Sequence, residues 1–155
     1  MSVAIRSATA DDQGAIVALV RSERLNPTGI DWPHFVVAID GNKLIGAAQI
    51  RKHKDGSREL GSLVVDRRWR GQGVAACLIE TLLASEPGRV LVITGQVRTA
   101  YFARWGFRPL ETSRAPAAIQ FNYYMGRMAG ILSLLRRRPL NHLIILDRMP
   151  LLDAG

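Results

Sequence analysis

The residues most able to do chemistry lie between Glu59 and Ser85. An apolar, β-branched run, Glu59–Val65, reads as a strand. Val74, Leu78 and Leu82 then recur at four-residue spacing, with Ile79 and Leu83 beside them, which predicts a helix. Between the two stands the basic, glycine-bearing turn Arg67-Arg68-Trp69-Arg70-Gly71-Gln72-Gly73. A strand that enters a helix through glycines leaves the first helical N–H groups unpaired, and the helix dipole adds about half a positive charge there. Gly71 and Gly73 lack a Cβ, so the backbone can approach a bulky anion closely. The turn therefore suits a phosphate. It is not a P-loop, since no Gly-Lys-Ser/Thr follows, and GxGxxG is absent as well.

The run Arg70-x-x-Gly73-x-Ala75 resembles the Q/R-x-x-G-x-G/A signature of the GNAT superfamily of N-acetyltransferases. A second feature, the aromatic-rich segment before Trp105-Gly106-Phe107, is similar to the helix ending in Gly-Phe in the same superfamily. The opening strand, the Ala8-Thr9-x-x-Asp12 run and the helix after it also resemble the way many members begin. The resemblance covers Val3 to about Pro109. It implies acetyl-CoA as co-substrate. The pyrophosphate would be held by Arg70, Gly71, Gln72, Gly73, Val74, Ala75 and Ala76, and the pantetheine arm would pair with Leu63, Val64 and Val65. No metal is implied.

Transfer of an acetyl group to an amine needs a base, an oxyanion donor and a leaving thiolate. Glu59 looks like the glutamate that many GNAT enzymes use as base; a solvated strand-end carboxylate paired with Arg58 or Lys54 is the competing reading. A backbone N–H of Leu63 to Val65, Val64 or Val65 above all, would meet the oxyanion. Many members carry an acid tyrosine four residues before the Gly-Phe glycine, where this chain has Phe102. Tyr101 is the adjacent candidate, but one residue around a helix is about 100° away. The segment is also loosely similar to the acetyltransferase domain of N-acetylglutamate synthases, where a phenylalanine stands at the comparable position.

A chain of 155 residues with 48% hydrophobic and 22% charged side chains is expected to form a single domain over 1–155 with a real core. The lone cysteine, Cys77, excludes an intramolecular disulfide, fits a reducing cytoplasm and, inside the apolar helix, is expected to be packed. No signal pattern opens the chain and no apolar run approaches about 18 residues, so a cytoplasmic location without a membrane span is expected. The net charge of +8 suits an anionic ligand. Arg51, Lys52, Arg98, Arg104 and Arg108 favour an acceptor with a carboxylate or phosphate; solvated surface, or service to the cofactor's phosphates alone, is the competing reading. No zinc-finger spacing or RNP-like run points to nucleic acid, and His34, His53 and His142 stand apart without neighbouring ligands.

In chain order the pattern predicts strands at Val3–Ser7, Phe35–Ile39, Leu44–Ile50, Glu59–Val65, Val90–Thr94 and His142–Leu146. Helices are expected around Ile16–Val20, Val74–Ser85, Arg98–Arg104 and Ala117–Arg137. The expected fold is α+β in layers: the GNAT fold, a central mixed but mostly antiparallel sheet flanked by helices. In the last helix Phe121, Tyr124, Met125, Met128, Leu132 and Leu135 form a stripe expected to pack on the sheet, a membrane-surface or dimer face being the alternative. The function expected is transfer of acetyl from acetyl-CoA to a primary amine of a small molecule or peptide, by direct attack. A non-catalytic acyl-CoA-binding module and a glutamate-like amino-acid N-acetyltransferase are the alternatives, and a homodimer is possible.

Overall fold

The computed structural model describes residues 2–134 and 142–150. Its residues gather into two compact units, Met1–Arg51 with Leu60–Pro87, and Lys52–Glu59 with Gly88–Gly155.

In the first unit, β1 (Val3–Ser7), β2 (Phe35–Asp40), β3 (Lys43–Lys52) and β4 (Arg58–Val65) lie side by side in that order. β1 and β2 pair antiparallel with Ile5 opposite Ala38, and β2 and β3 pair antiparallel with Val37 opposite Ala47. Helix α1 (Gln13–Ser22) follows a 3-10 turn opened by Thr9, whose N–H donates to Asp12 at 2.7 Å. Arg6 also pairs with Asp12 at 2.7 Å; this guanidinium, aided by Thr9, pulls the Asp12 carboxyl down to about 2. Ile16 and Val20 of α1 pack with Phe35, Val37, Ala47 and Val64 in one apolar cluster. Helix α2 (Val74–Ala84) buries Val74, Leu78, Ile79, Leu82 and Leu83. It comes close to β3 at Gly46, where an added Cβ would stand 3.1 Å from Leu78 Cδ1 and 3.2 Å from Val74 Cγ1. Cys77 faces outward from this helix and is exposed, contrary to the expected packed thiol. The buried positions 74, 78, 79, 82 and 83 define one face, and 77 lies outside it.

In the second unit the strand order is β5 (Val90–Gly95), β7 (Leu143–Arg148), β6 (Arg108–Leu110), with both pairings antiparallel. The short β6 was not anticipated. Its Pro109 is tolerated because β6 is the last strand in the order. Helix α3 (Thr99–Ala103) leads to Gly106, which takes a φ of 86°. Helix α4 (Ala117–Leu134) packs Ile119 among Leu91, Ala115 and Ile145. Residues 135–137 of the expected helix lie outside the described residues.

The expected stripe on α4 does not pack on the sheet. Phe121, Tyr124, Met125, Met128 and Leu132 are all exposed. The inward row is Ile119, Asn122, Tyr123 and Gly126, buried or half-buried. Gly126 lies so close to β7 that a Cβ there would stand 2.9 Å from Leu143 Cδ1. A small residue lets the helix approach the strand, and that contact selects the face.

Candidate active site

The turn is built almost wholly from backbone. Asp66 accepts the Arg68 N–H at 3.0 Å and so opens a 3-10 turn over Arg67–Trp69. Lys43 Nζ holds the other Asp66 oxygen at 3.0 Å. The chain then runs through Gly71 at φ 76° and Gly73 at φ 82°, a left-handed conformation that costs an L side chain about 1–2 kcal/mol. Gly73 is the N-cap of α2 and supplies no side-chain cap; its carbonyl accepts the Cys77 N–H at 3.1 Å. The N–H groups of Val74, Ala75 and Ala76 therefore precede the helix's own bonding pattern. A Cβ built on Gly71 or Gly73 meets nothing within 4 Å, so the space over the turn is open. These residues fit a pyrophosphate: open backbone, a helix start and no acidic side chain within the turn.

Arg70, the first residue of the signature, is committed elsewhere. Its Nε donates to the Val65 carbonyl at 3.1 Å, and Nη2 pairs with Glu23 at 2.7 Å. Arg67 reaches the same carboxylate at 3.4 Å. Arg70 thus ties the end of β4 to the turn, and Glu23 balances much of its charge.

Glu59 is not a solvated strand-end carboxylate. It is only 5% exposed, and its Oε2 contacts His53 Nε2 at 2.7 Å and the Asn122 amide at 2.9 Å. His53 stands in the hairpin between β3 and β4, where its backbone N–H donates to the Ser57 carbonyl at 3.0 Å. Asn122 comes from the inward row of α4. A second bond joins the same hairpin and helix, since Asp55 Oδ2 accepts the Ala118 N–H at 3.0 Å. That carboxylate caps the start of α4 from 63 residues away. The Ser57 hydroxyl, then the Ala118 and Ser57 N–H groups, pull the Asp55 carboxyl down to about 2.

Along β4, Ser62 holds a φ of 51°, a left-handed conformation inside a strand that costs about 1–3 kcal/mol. Its hydroxyl accepts from Gln49 Nε2 at 2.9 Å and from Arg51 Nη2 at 3.0 Å. Such a kink redirects the backbone N–H groups that follow it, those of Leu63, Val64 and Val65. Arg51 Nη2 also donates to the Thr28 carbonyl at 3.3 Å, so this arginine holds the kink. Phe102 is 2% exposed and packs edge-on against Phe107, which places it in the core. Tyr101 is half-buried, edge-on to Trp105 at 5.1 Å, with the Arg104 guanidinium 4.9 Å over its ring. Among the described residues no group of three or more His, Cys, Asp or Glu side chains could hold a metal ion. No helix among them is long and apolar enough to cross a membrane.

Sequence reasoning missed His53, Asn122 and Ser62. His53 stands six residues before Glu59 across a turn signal, the separation that a hairpin closes. Gly61, inside an apolar strand run, was the available sign of a kink at 61–62. Nothing local pointed to Asn122.

Residues 31–109 match the model of the acetyltransferase (GNAT) domain, half of the chain. The chain belongs to the GNAT acetyltransferase family. Its fold is shared with N-acetylglutamate synthase from Neisseria gonorrhoeae complexed with coenzyme A and N-acetyl-glutamate, at TM-score 0.73 and 18% identity, covering 97% of this chain and 35% of that one. The chain thus spans about a third of the length of that synthase. A Mycobacterium tuberculosis protein in complex with CoA and NLQ matches at TM-score 0.70 and 23% identity, over 96% of this chain and 99% of that one. The ribosomal-protein-S18-alanine N-acetyltransferase from Escherichia coli matches at TM-score 0.66 and 14% identity, over 99% and 97% of the two chains. No curated protein sequence matches the chain. Asn122 lies outside residues 31–109, so half of the polar clamp on Glu59 comes from beyond the stretch that matches the family.

Proposed function

We propose that this protein transfers the acetyl group of acetyl-CoA to a primary amine of a small molecule or peptide. The observation that carries the proposal is the Gly71–Gly73 turn opening α2 soon after β4, the strand that carries the clamped carboxylate of Glu59 near its start. Bound acetyl-CoA supplies an acetyl thioester whose carbonyl carbon the amine attacks, with the thiolate leaving. The backbone of Gly71, Gln72, Gly73, Val74, Ala75 and Ala76 binds the pyrophosphate, and Leu63, Val64 and Val65 offer N–H groups to the pantetheine arm and the developing oxyanion.

Glu59 manages the amine's proton. An amine of pKa near 10 is about one part in a thousand neutral at pH 7, a cost of about 4 kcal/mol. As the new C–N bond forms, the nitrogen becomes far more acidic, and a carboxylate can then take its proton. The Asn122 amide holds Glu59 in one orientation, and His53, with its side chain 19% exposed, gives the proton a way from a buried carboxylate toward water. Tyr101 is the candidate acid for the thiolate, although a thiol of pKa near 8.5 leaves tolerably without one.

Two specific observations favour other readings. Phe102, buried in the core, favours a non-catalytic acyl-CoA-binding module. The likeness to a structure holding N-acetyl-glutamate favours an amino-acid acceptor. Thiol release from acetyl-CoA over amino acids, amino sugars, polyamines and peptides, beside a thermal-shift series with acetyl-CoA, NADH and ATP, tests all three. Acetyl-CoA alone should raise the melting temperature strongly, and at least one amine should release thiol. Stabilisation by acetyl-CoA without thiol release from any amine would favour the binding module.

A further inference from the structure

Helix α4 is apolar on two faces, and among the described residues only one of them is packed. Its inward row is satisfied by β5 and β7. The opposite face exposes Phe121 at 64%, Tyr124 at 51%, Met125 at 54%, Met128 at 55%, Ile131 at 51% and Leu132 at 61%. Phe121, Tyr124, Met128 and Ile131 recur at intervals of three, four and three residues, the a and d positions of a heptad, with Met125 and Leu132 flanking the seam seven residues apart. None of the six is charged. Arg127 is the only charged residue of the helix.

The size of this face says what would cover it. Side chains of this size carry roughly 150–250 Å² each, so six of them at these exposures leave on the order of 600 Å² of apolar surface open. That is the upper end of what a soluble monomer leaves uncovered. Laid against a copy of itself, the face would bury about 1,200 Å² in total, the threshold of stable protein interfaces. A heptad seam is also self-complementary: its knobs fill the holes of a like helix, as two-fold symmetry requires. A lipid surface is a poorer occupant. Helices that lie on membranes pair an apolar face with a free face rich in lysine and arginine, whereas here the opposite face is packed on the strands.

We infer that the outward face of α4 docks a second copy of this chain, forming a two-fold dimer along the seam Phe121–Tyr124–Met128–Ile131. The inference stands on exposure, spacing and area, independently of the transferase reading. The test is the mass of the 155-residue chain in solution by light scattering or sedimentation, up to about 100 µM, well above the micromolar Kd at the weak end of standard-size interfaces. Wild type should have twice the 17.1 kDa chain mass. Met128→Glu and Phe121→Lys should each yield a monomer with the wild-type far-ultraviolet spectrum. Val97→Glu, at a site 91% exposed and off the helix, should remain dimeric. A monomeric wild type would overturn the inference, and so would a dimer that survives both α4 changes. A monomer that floats with phosphatidylserine-containing vesicles would overturn it in favour of a lipid surface.

Discussion

The glycine turn follows β4 and the clamped carboxylate stands near its start, yet they are made of different materials. The turn is a matter of backbone conformation: two glycines with φ near 80° and the uncapped start of α2. Glu59 is a matter of side-chain identity, a carboxylate oxygen shared by an imidazole and an amide. The turn should therefore resist any residue that refuses a left-handed φ or brings negative charge. The carboxylate should resist any change of its own chemistry while tolerating alteration around it.

The largest expected effect tests the backbone side of this contrast. Gly73→Asp should weaken acetyl-CoA binding roughly a thousandfold, combining left-handed strain of about 1–2 kcal/mol with repulsion of a similar or larger size. Gly73→Asn, which accepts the conformation and carries no charge, should lose less than about tenfold. Calorimetry reads both. Equal affinities for the Asp variant and wild type would remove the anion from this turn.

The next effect tests the side-chain half. Glu59→Gln should lower kcat about 100-fold, as expected when a general base is removed, with acetyl-CoA affinity intact. A rate within a few-fold of wild type would take Glu59 out of the proton's path. Smaller still, Tyr101→Phe should change the rate by less than about tenfold. A loss of 100-fold or more with cofactor affinity intact would make Tyr101 the acid.

How far these regions were legible depended on what built them. The bend itself could be read directly, since glycines between an apolar strand and a helix mark a turn. The three-strand meander and its turns were equally plain from the Asp40-Gly41 and Asp55-Gly56 punctuation. The clamp was only half readable. His53 sat inside a basic run, Arg51-Lys52-His53-Lys54, with no ligand beside it in sequence. Asn122 is 63 residues from Glu59, a separation that no periodicity reveals. On α4 the period was right and the face wrong, because both faces are apolar. Gly126 was the clue, since close approach to Leu143 needs a residue without a Cβ. Cys77 misled for the same reason: an apolar helix still has an outer side.

The smallest expected effect concerns the second tie between hairpin and helix. Asp55→Ala should cost about 1 kcal/mol, as loss of a helix cap does, and leave acetyl-CoA binding unchanged. The pH dependence follows from the depressed carboxyl. With a folded value of about 2 against 3.8 for the free side chain, the contribution is full above about pH 4 and fades as pH falls toward 2. Asp12, held at about 2 by Arg6, fades in the same window. Acid unfolding should thus be shallower between pH 4 and 2 in Asp55→Ala than in wild type. An identical slope would show that the cap is not felt.

Both ties between the hairpin and α4 span 63 residues, Asp55 to Ala118 and Glu59 to Asn122. Contacts this distant in sequence carry a loop-closure cost that local turns do not, and they tend to form late in folding. On a growing chain, every partner of the turn at 70–73, Glu23 and Lys43 included, has already been made when the turn emerges, whereas Glu59 acquires its second partner once α4 has been made and docked. Competence to hold a ligand should therefore be regained during refolding before competence to move a proton.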